Sequence, residues 1–165
     1  MRLGWTRVVR AGDSLAPDPG AIESFLMATF ALHAQLAADG LFLADWPLCR
    51  VLRMNDTTYP WLILVPRLTD AREIVDLSAA DRMLLMDEIA WASQALKDLR
   101  RPDKINVGAL GNVVPQLHVH VLGRFKNDPA WPKPVWGHAA PSRLDPADAG
   151  REVEVWRAAL SAYGA

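Results

Sequence analysis

The sequence predicts an α+β fold, a five-stranded antiparallel sheet with helices packed on it. Three observations point there. Five short runs rich in Leu, Ile and Val have strand length and are bounded by turn residues. Segments with apolar residues at helical spacing precede, interrupt and follow those runs. The links between successive strands are short, which favours hairpins and leaves the helices to cover the sheet.

Taken in order, Asp18-Pro19 opens the first helix, with Asp as N-cap and Pro at the first helical position. Ile22, Phe25, Leu26, Thr29, Leu32, His33 and Leu36 follow at helical spacing, and Gly40 stops it. His33 lies on or beside the apolar stripe and is read as a packing residue. Strands are expected at 41–43, 48–55 and 61–67, the last two joined by the turn Asp56-Thr57-Thr58-Tyr59-Pro60. Ser78, with Asp81 three residues on, resembles a capping box and starts a long helix to about Leu99. Its apolar face is traced by Leu84, Leu85, Glu88, Ile89, Ala92, Ala95, Leu96 and Leu99. Strands at 104–110 and 116–124 flank the loop Gly111-Asn112-Val113-Val114-Pro115. An ordered but irregular Pro-, Trp- and Gly-rich stretch covers 125–143, and Asp145-Pro146 opens a last helix to about Tyr163.

The bulk properties exclude several classes. At 165 residues the chain has the length of one domain, with its core over about 15–125 and a tail and C-terminal helix over 126–165. A hydrophobic fraction of 51% against 22% charged residues argues against disorder. The net charge of −1 gives no overall attraction to nucleic acid or anionic membrane. No run reaches the ~20 apolar residues of a membrane span. The basic N-terminus has no apolar core behind it, so a signal peptide is not expected and the cytoplasm is the default location. The one cysteine, Cys49, sits in an apolar run and reads as a buried small hydrophobe. Seven tryptophans point to a core or subunit interface built on large rings.

Chemistry concentrates in Gln116-Leu117-His118-Val119-His120-Val121-Leu122-Gly123-Arg124. Strand alternation sends Gln116, His118 and His120 to one face and Leu117, Val119 and Val121 to the core. Two imidazoles on one strand face can bind a metal, or one can attack phosphorus while the other handles oxygens or the leaving group. A metal would need a third and usually a fourth ligand, and no carboxylate or cysteine lies nearby at ligand spacing. His33 and His138 lie in a helix and in the tail. Two solvated histidines without a task are the bland alternative.

These residues resemble the signature of the histidine triad (HIT) family, in which three histidines alternate with apolar residues. His118 and His120 match the second and third histidines. Gly123-Arg124, Asn106-Val107-Gly108, the Gly111–Val114 loop and Pro60–Pro66 resemble the family's further segments, in the same order over roughly 41–125. The resemblance implies a single HIT-like domain, a nucleotide substrate, no cofactor and a homodimer. It implies that His118 forms a covalent nucleotidyl-histidine and that His120 contacts phosphate oxygens near the leaving group. Asn112 and Asn106 would contact phosphate, and Asn55 or Asp56 the ribose.

Two positions depart from the pattern. Gln116 stands in the place of the first triad histidine and Trp61 in that of an upstream histidine. A Gln orients a neighbour by hydrogen bonds but carries no proton near neutral pH. Gln116 and the tail after the triad strand resemble a bacterial HIT-like subgroup. The implied activity is cleavage of a nucleoside phosphate conjugate, a dinucleoside polyphosphate or phosphoramidate, at the α-phosphate. The alternatives are a weakly active nucleotide-binding or scaffold protein of the same fold, and a metal-dependent hydrolase. The tail either clamps the sheet edge or walls the pocket.

Overall fold

The computed structural model describes residues 30–163. A short helix α1 (Ala34–Asp39) leads into β1 (Gly40–Asp45), β2 (Cys49–Met54) and β3 (Trp61–Pro66). The long helix α2 (Ala79–Arg100) follows, then β4 (Lys104–Gly108), β5 (Val119–Arg124) and α3 (Pro146–Leu160). The five strands form one antiparallel sheet in the order β1-β2-β3-β5-β4. The expected α+β class is the one observed.

Both faces of the sheet are covered. Val51, Leu62, Leu64, Val119 and Val121 share a core with Leu85, Ala92, Leu96 and Trp156 of α2 and α3. Leu52, Trp61, Ile63, Val65 and Leu122 face the other way, against Leu36, Tyr59, Val114, Ala130 and Val135. The long helices thus lie on one face, while α1 and the tail close the second. Central β3 is buried at all six positions, which explains its unbroken apolar run.

Helix caps follow the sequence closely. Ser78 Oγ accepts from Asp81 N at 3.1 Å, and Asp145 Oδ1 accepts from Asp148 N at 2.8 Å with Pro146 at the first helical position. Asp81 differs from a full capping box: its carboxylate accepts from the Ser78 hydroxyl at 2.6 Å. Cys49 is fully buried, and burial, followed by the neighbouring Glu88, pushes its thiol pKa up.

The first helix is a correction. Its predicted start at Asp18-Pro19 lies outside the described residues, but residues 30–33 are not helical. His33 is the N-cap of α1: its Nδ1 accepts from Gln35 N at 3.1 Å. The backbone here is recruited by a distant side chain. Gln116 Oε1 accepts from His33 N, and Gln116 Nε2 donates to Ala31 O, both at 2.9 Å. These two bonds occupy backbone groups that a helix would use, so tertiary contact overrides local periodicity. Gly40 does end α1, in an extended conformation as the first residue of β1.

Glu88, on the predicted apolar face of α2, is indeed buried there, with 0% exposure. Its carboxylate accepts from Leu48 N at 2.7 Å and Cys49 N at 2.9 Å. A buried carboxylate is tolerable when such donors satisfy it. Here it pins the start of β2 to the helix layer.

Candidate active site

The site forms on the sheet face opposite α2 and α3, where β5, the loop before it, the β2–β3 turn and the tail converge. They enclose a cavity of about 420 Å³. His118 and His120 both line it, with ring centroids 4.9 Å apart and planes at 86°. β5 begins only at Val119, yet His118 and His120 still share a face, and Leu117, Val119 and Val121 enter the core opposite.

His118 is 7% exposed. Its Nδ1 lies 2.7 Å from the backbone carbonyl of Gln116. A carbonyl only accepts, so Nδ1 carries a proton, and in the neutral ring the lone pair is then on Nε2. On the other ring, His120 Nδ1 receives a hydrogen bond from Trp61 Nε1 at 3.0 Å. Burial, reinforced by nearby His118, pushes the His120 pKa down to about 4.

Gln116 is the main geometric correction. Because the strand starts after it, its side chain does not join the two histidines but clamps residues 31 and 33 outside the cavity. Its contribution to the site is its backbone carbonyl. Gln116→His therefore places its imidazole at this outer clamp, and the expected result is a folded protein with unchanged turnover and the loss of at least one exposed hydrogen bond. Steady-state rates with a denaturant midpoint check this, and a clear gain in turnover would contradict it.

The other expected contacts divide. Asn112 and Asp56 line the cavity. Asp56 is buried, and its Oδ1 accepts from Thr58 N at 2.7 Å, shaping the turn. Buried Arg53 holds this turn by donating to the carbonyls of Met54 and Asp56. Asn106 is turned to another task, its Oδ1 accepting from buried Arg124 at 2.9 Å. Asn55 Oδ1 accepts from Leu144 N at 3.0 Å, tying the turn to the segment before α3. Neither lines the cavity. Among the described residues no group of three or more His, Cys, Asp or Glu is arranged to hold a metal.

Trp61, Trp136 and His138 also line the cavity; the sequence left the tail segment that holds Trp136 between clamp and pocket wall, and did not place His138 there. Trp136 lies 6.1 Å from His120 and 6.4 Å from Trp61, ring to ring. A signal for it exists in Gly108, which pairs with His120 across β4 and β5. A Cβ there would come within 2.9 Å of the Trp136 ring. Gly108 is the seat of that indole. The tail is thus both wall and clamp: Asp128, on the chain leading into it, accepts from Arg124 Nε at 2.8 Å and Nη2 at 3.0 Å, both side chains nearly fully buried.

The HIT domain family matches residues 35–127, more than half of the chain. The chain is a HIT-domain protein. The family is one of nucleotide-binding hydrolases and transferases. Solved histidine triad proteins are similar to this one over most of their length. That of Bradyrhizobium japonicum is 45% identical with a TM-score of 0.75, covering 79% of this chain and 97% of its own. That of Sinorhizobium meliloti is 39% identical, TM-score 0.77, covering 81% and 99%. That of Marinobacter aquaeolei is 44% identical, TM-score 0.75, covering 81% and 95%. No curated protein matches the chain. Among the described residues of this HIT protein no helix is long and apolar enough to cross a membrane.

Proposed function

We propose that this HIT protein cleaves a nucleoside phosphate conjugate at the α-phosphate through a covalent nucleotidyl-His118. The observation that carries this is the bond from His118 Nδ1 to the Gln116 carbonyl, which fixes the tautomer so that the neutral ring, lining the cavity, has its lone pair on Nε2. In this reading Nε2 attacks phosphorus, a P–N bond forms, and the bond to the leaving group breaks with its electron pair. Water then attacks phosphorus; the P–N electron pair returns to Nε2 and one water proton passes to solvent. His120 and Asn112 contact the phosphate oxygens, Asp56 the ribose, and the Trp61, Trp136 and Val114 side chains enclose the rest. The protein belongs, in this proposal, to a bacterial subgroup with Gln at the first triad position, works in the cytoplasm and needs no cofactor.

The test is an alkaline quench of the reaction with labelled nucleotide, because a P–N bond to imidazole survives base better than acid. A nucleotidyl adduct on the His118 peptide is expected. Mononucleotide release without any adduct on that peptide would overturn the mechanism. A binding protein of little activity is the second reading, favoured by the Gln116 side chain lying outside the cavity.

The proposal includes a two-fold homodimer. β4 is an edge strand, and Val107 on it is 46% exposed, an edge that proteins commonly cover. Light scattering at micromolar concentration is expected to give twice the chain mass, and a single-chain mass would count against it.

A further inference from the structure

Resting on the covalent mechanism above, we propose that Trp61 locks His120 as a neutral Nε2–H donor. The site then favours leaving groups that depart as anions, those of nucleotide phosphoanhydrides, over phosphoramidates whose amine must be protonated.

The lock follows from what an indole can do. Trp Nε1–H donates and never accepts. At 3.0 Å from His120 Nδ1 it requires an unprotonated nitrogen there. The ring's proton must then sit on Nε2. Protonating Nδ1 as well would set two N–H groups against each other and orphan a buried donor. Trp61 cannot easily turn away. Its backbone, in β3, is paired with Leu122 of β5, it is 8% exposed, and its ring meets Tyr59 and Trp136 edge-on at 6.5 and 6.4 Å.

The surroundings act in the same direction. The titratable side chains around the cavity are Asp56 and Tyr59 from the β2–β3 turn, His138 from the tail and His118 beside the ring. Burial acts most strongly on His120 and His118 next, and both disfavour its charged form. A histidine at position 61 could accept or donate and would leave His120 free to carry a second proton. Trp61 removes that freedom.

The consequence is chemical. At a phosphoanhydride, His118 forms the P–N bond while the P–O bond breaks, and its electron pair stays on the bridging oxygen. The product is a phosphate anion, stable unprotonated and able to accept from His120 Nε2–H. No proton needs to move. At a phosphoramidate the P–N bond to substrate must break, and the electron pair would land on an amide nitrogen. An amine leaves only if a proton reaches it first. His120 in its locked form has one proton, and surrendering it would leave an imidazolate. It is a hydrogen-bond donor rather than an acid, as neutral imidazoles can be in other active sites.

The experiment compares a dinucleoside triphosphate with the matching nucleoside phosphoramidate on wild type and Trp61→Phe, with ¹⁵N NMR of His120 from pH 5 to 8. Wild type is expected to favour the anhydride in kcat/KM by about 10²–10⁴-fold, the usual worth of a general acid. His120 should read as neutral Nε2–H throughout. Trp61→Phe should narrow the preference, chiefly through faster phosphoramidate cleavage toward low pH, and let His120 titrate upward. Equal cleavage of both substrates by wild type with adduct still forming on His118 would overturn the preference and leave the mechanism standing. An Nδ1–H or doubly protonated His120 at pH 6 would overturn the lock whatever the rates. Absence of release and adduct with both substrates would overturn the mechanism and the preference together, with the NMR result still deciding the lock.

Discussion

His118→Ala is expected to abolish mononucleotide release while nucleotide binding largely survives. On the proposed mechanism the substitution removes the attacking atom, and it leaves the cavity walls, the Asp56 turn and the Asn112 loop in place. Deleting a covalent nucleophile costs about 10⁶-fold in kcat where it has been dissected. His120→Ala leaves the attacking nitrogen and removes one donor to the developing charge, a loss of about 10²–10³-fold. The ranking is therefore the informative quantity. Single-turnover release and calorimetric titration of nucleotide measure both halves. Equal loss in the two variants, or release by His118→Ala at the wild-type rate, would show that phosphorus is attacked by something else.

The largest expected effect on stability falls on Asp128. Its side chain and that of Arg124 are 3% and 2% exposed. Asp128 accepts from Arg124 Nε and Nη2, Phe125 N and Ala130 N. Asp128→Ala leaves the guanidinium buried with Asn106 Oδ1 as its remaining side-chain acceptor. Breaking a buried pair on one side costs about 3–5 kcal/mol, a large share of the ~5–15 kcal/mol that holds a domain together. The hydrogen bonds from Arg124 hold the Asp128 carboxyl below the usual carboxylate range, with its backbone donors acting the same way. A depressed carboxyl contributes its full stabilisation above the unfolded value of about 3.9 and loses it as pH falls through the folded value. Urea midpoints at pH 7 and at pH 3 are expected to converge between wild type and variant as acid removes this contribution. A gap that stays constant on acidification would place the loss in packing.

What could be read from the chain depended on the reach of each interaction. Caps at Ser78 and Asp145 depend on neighbours three residues away, and they were legible. Period-two alternation put His118 and His120 together correctly, because both lie in or beside β5. It failed at Gln116, since alternation applies only while the backbone stays extended within the sheet. The contacts of Gln116 lie 83 and 85 residues away at His33 and Ala31, beyond any local pattern. Sequence separation likewise hid the fate of Asn106, taken by Arg124, 18 residues on, and of Asn55, taken by Leu144, 89 residues on. Trp136 and His138 lie within an irregular stretch whose path no periodicity describes. Gly108 alone hinted at a ring needing close access to that spot on the sheet.

The match to the HIT domain stops at residue 127, whereas the cavity takes much of its lining from Pro129 through Pro141. The two imidazoles and a large part of the enclosing surface are therefore encoded in consecutive pieces of the chain. Changes of sequence or length after residue 128 can reshape what fits beside His120 without altering the strand that carries it. Such an arrangement makes the tail a natural place for related HIT proteins to diverge in what they bind while keeping the same strand, and a practical one for grafting.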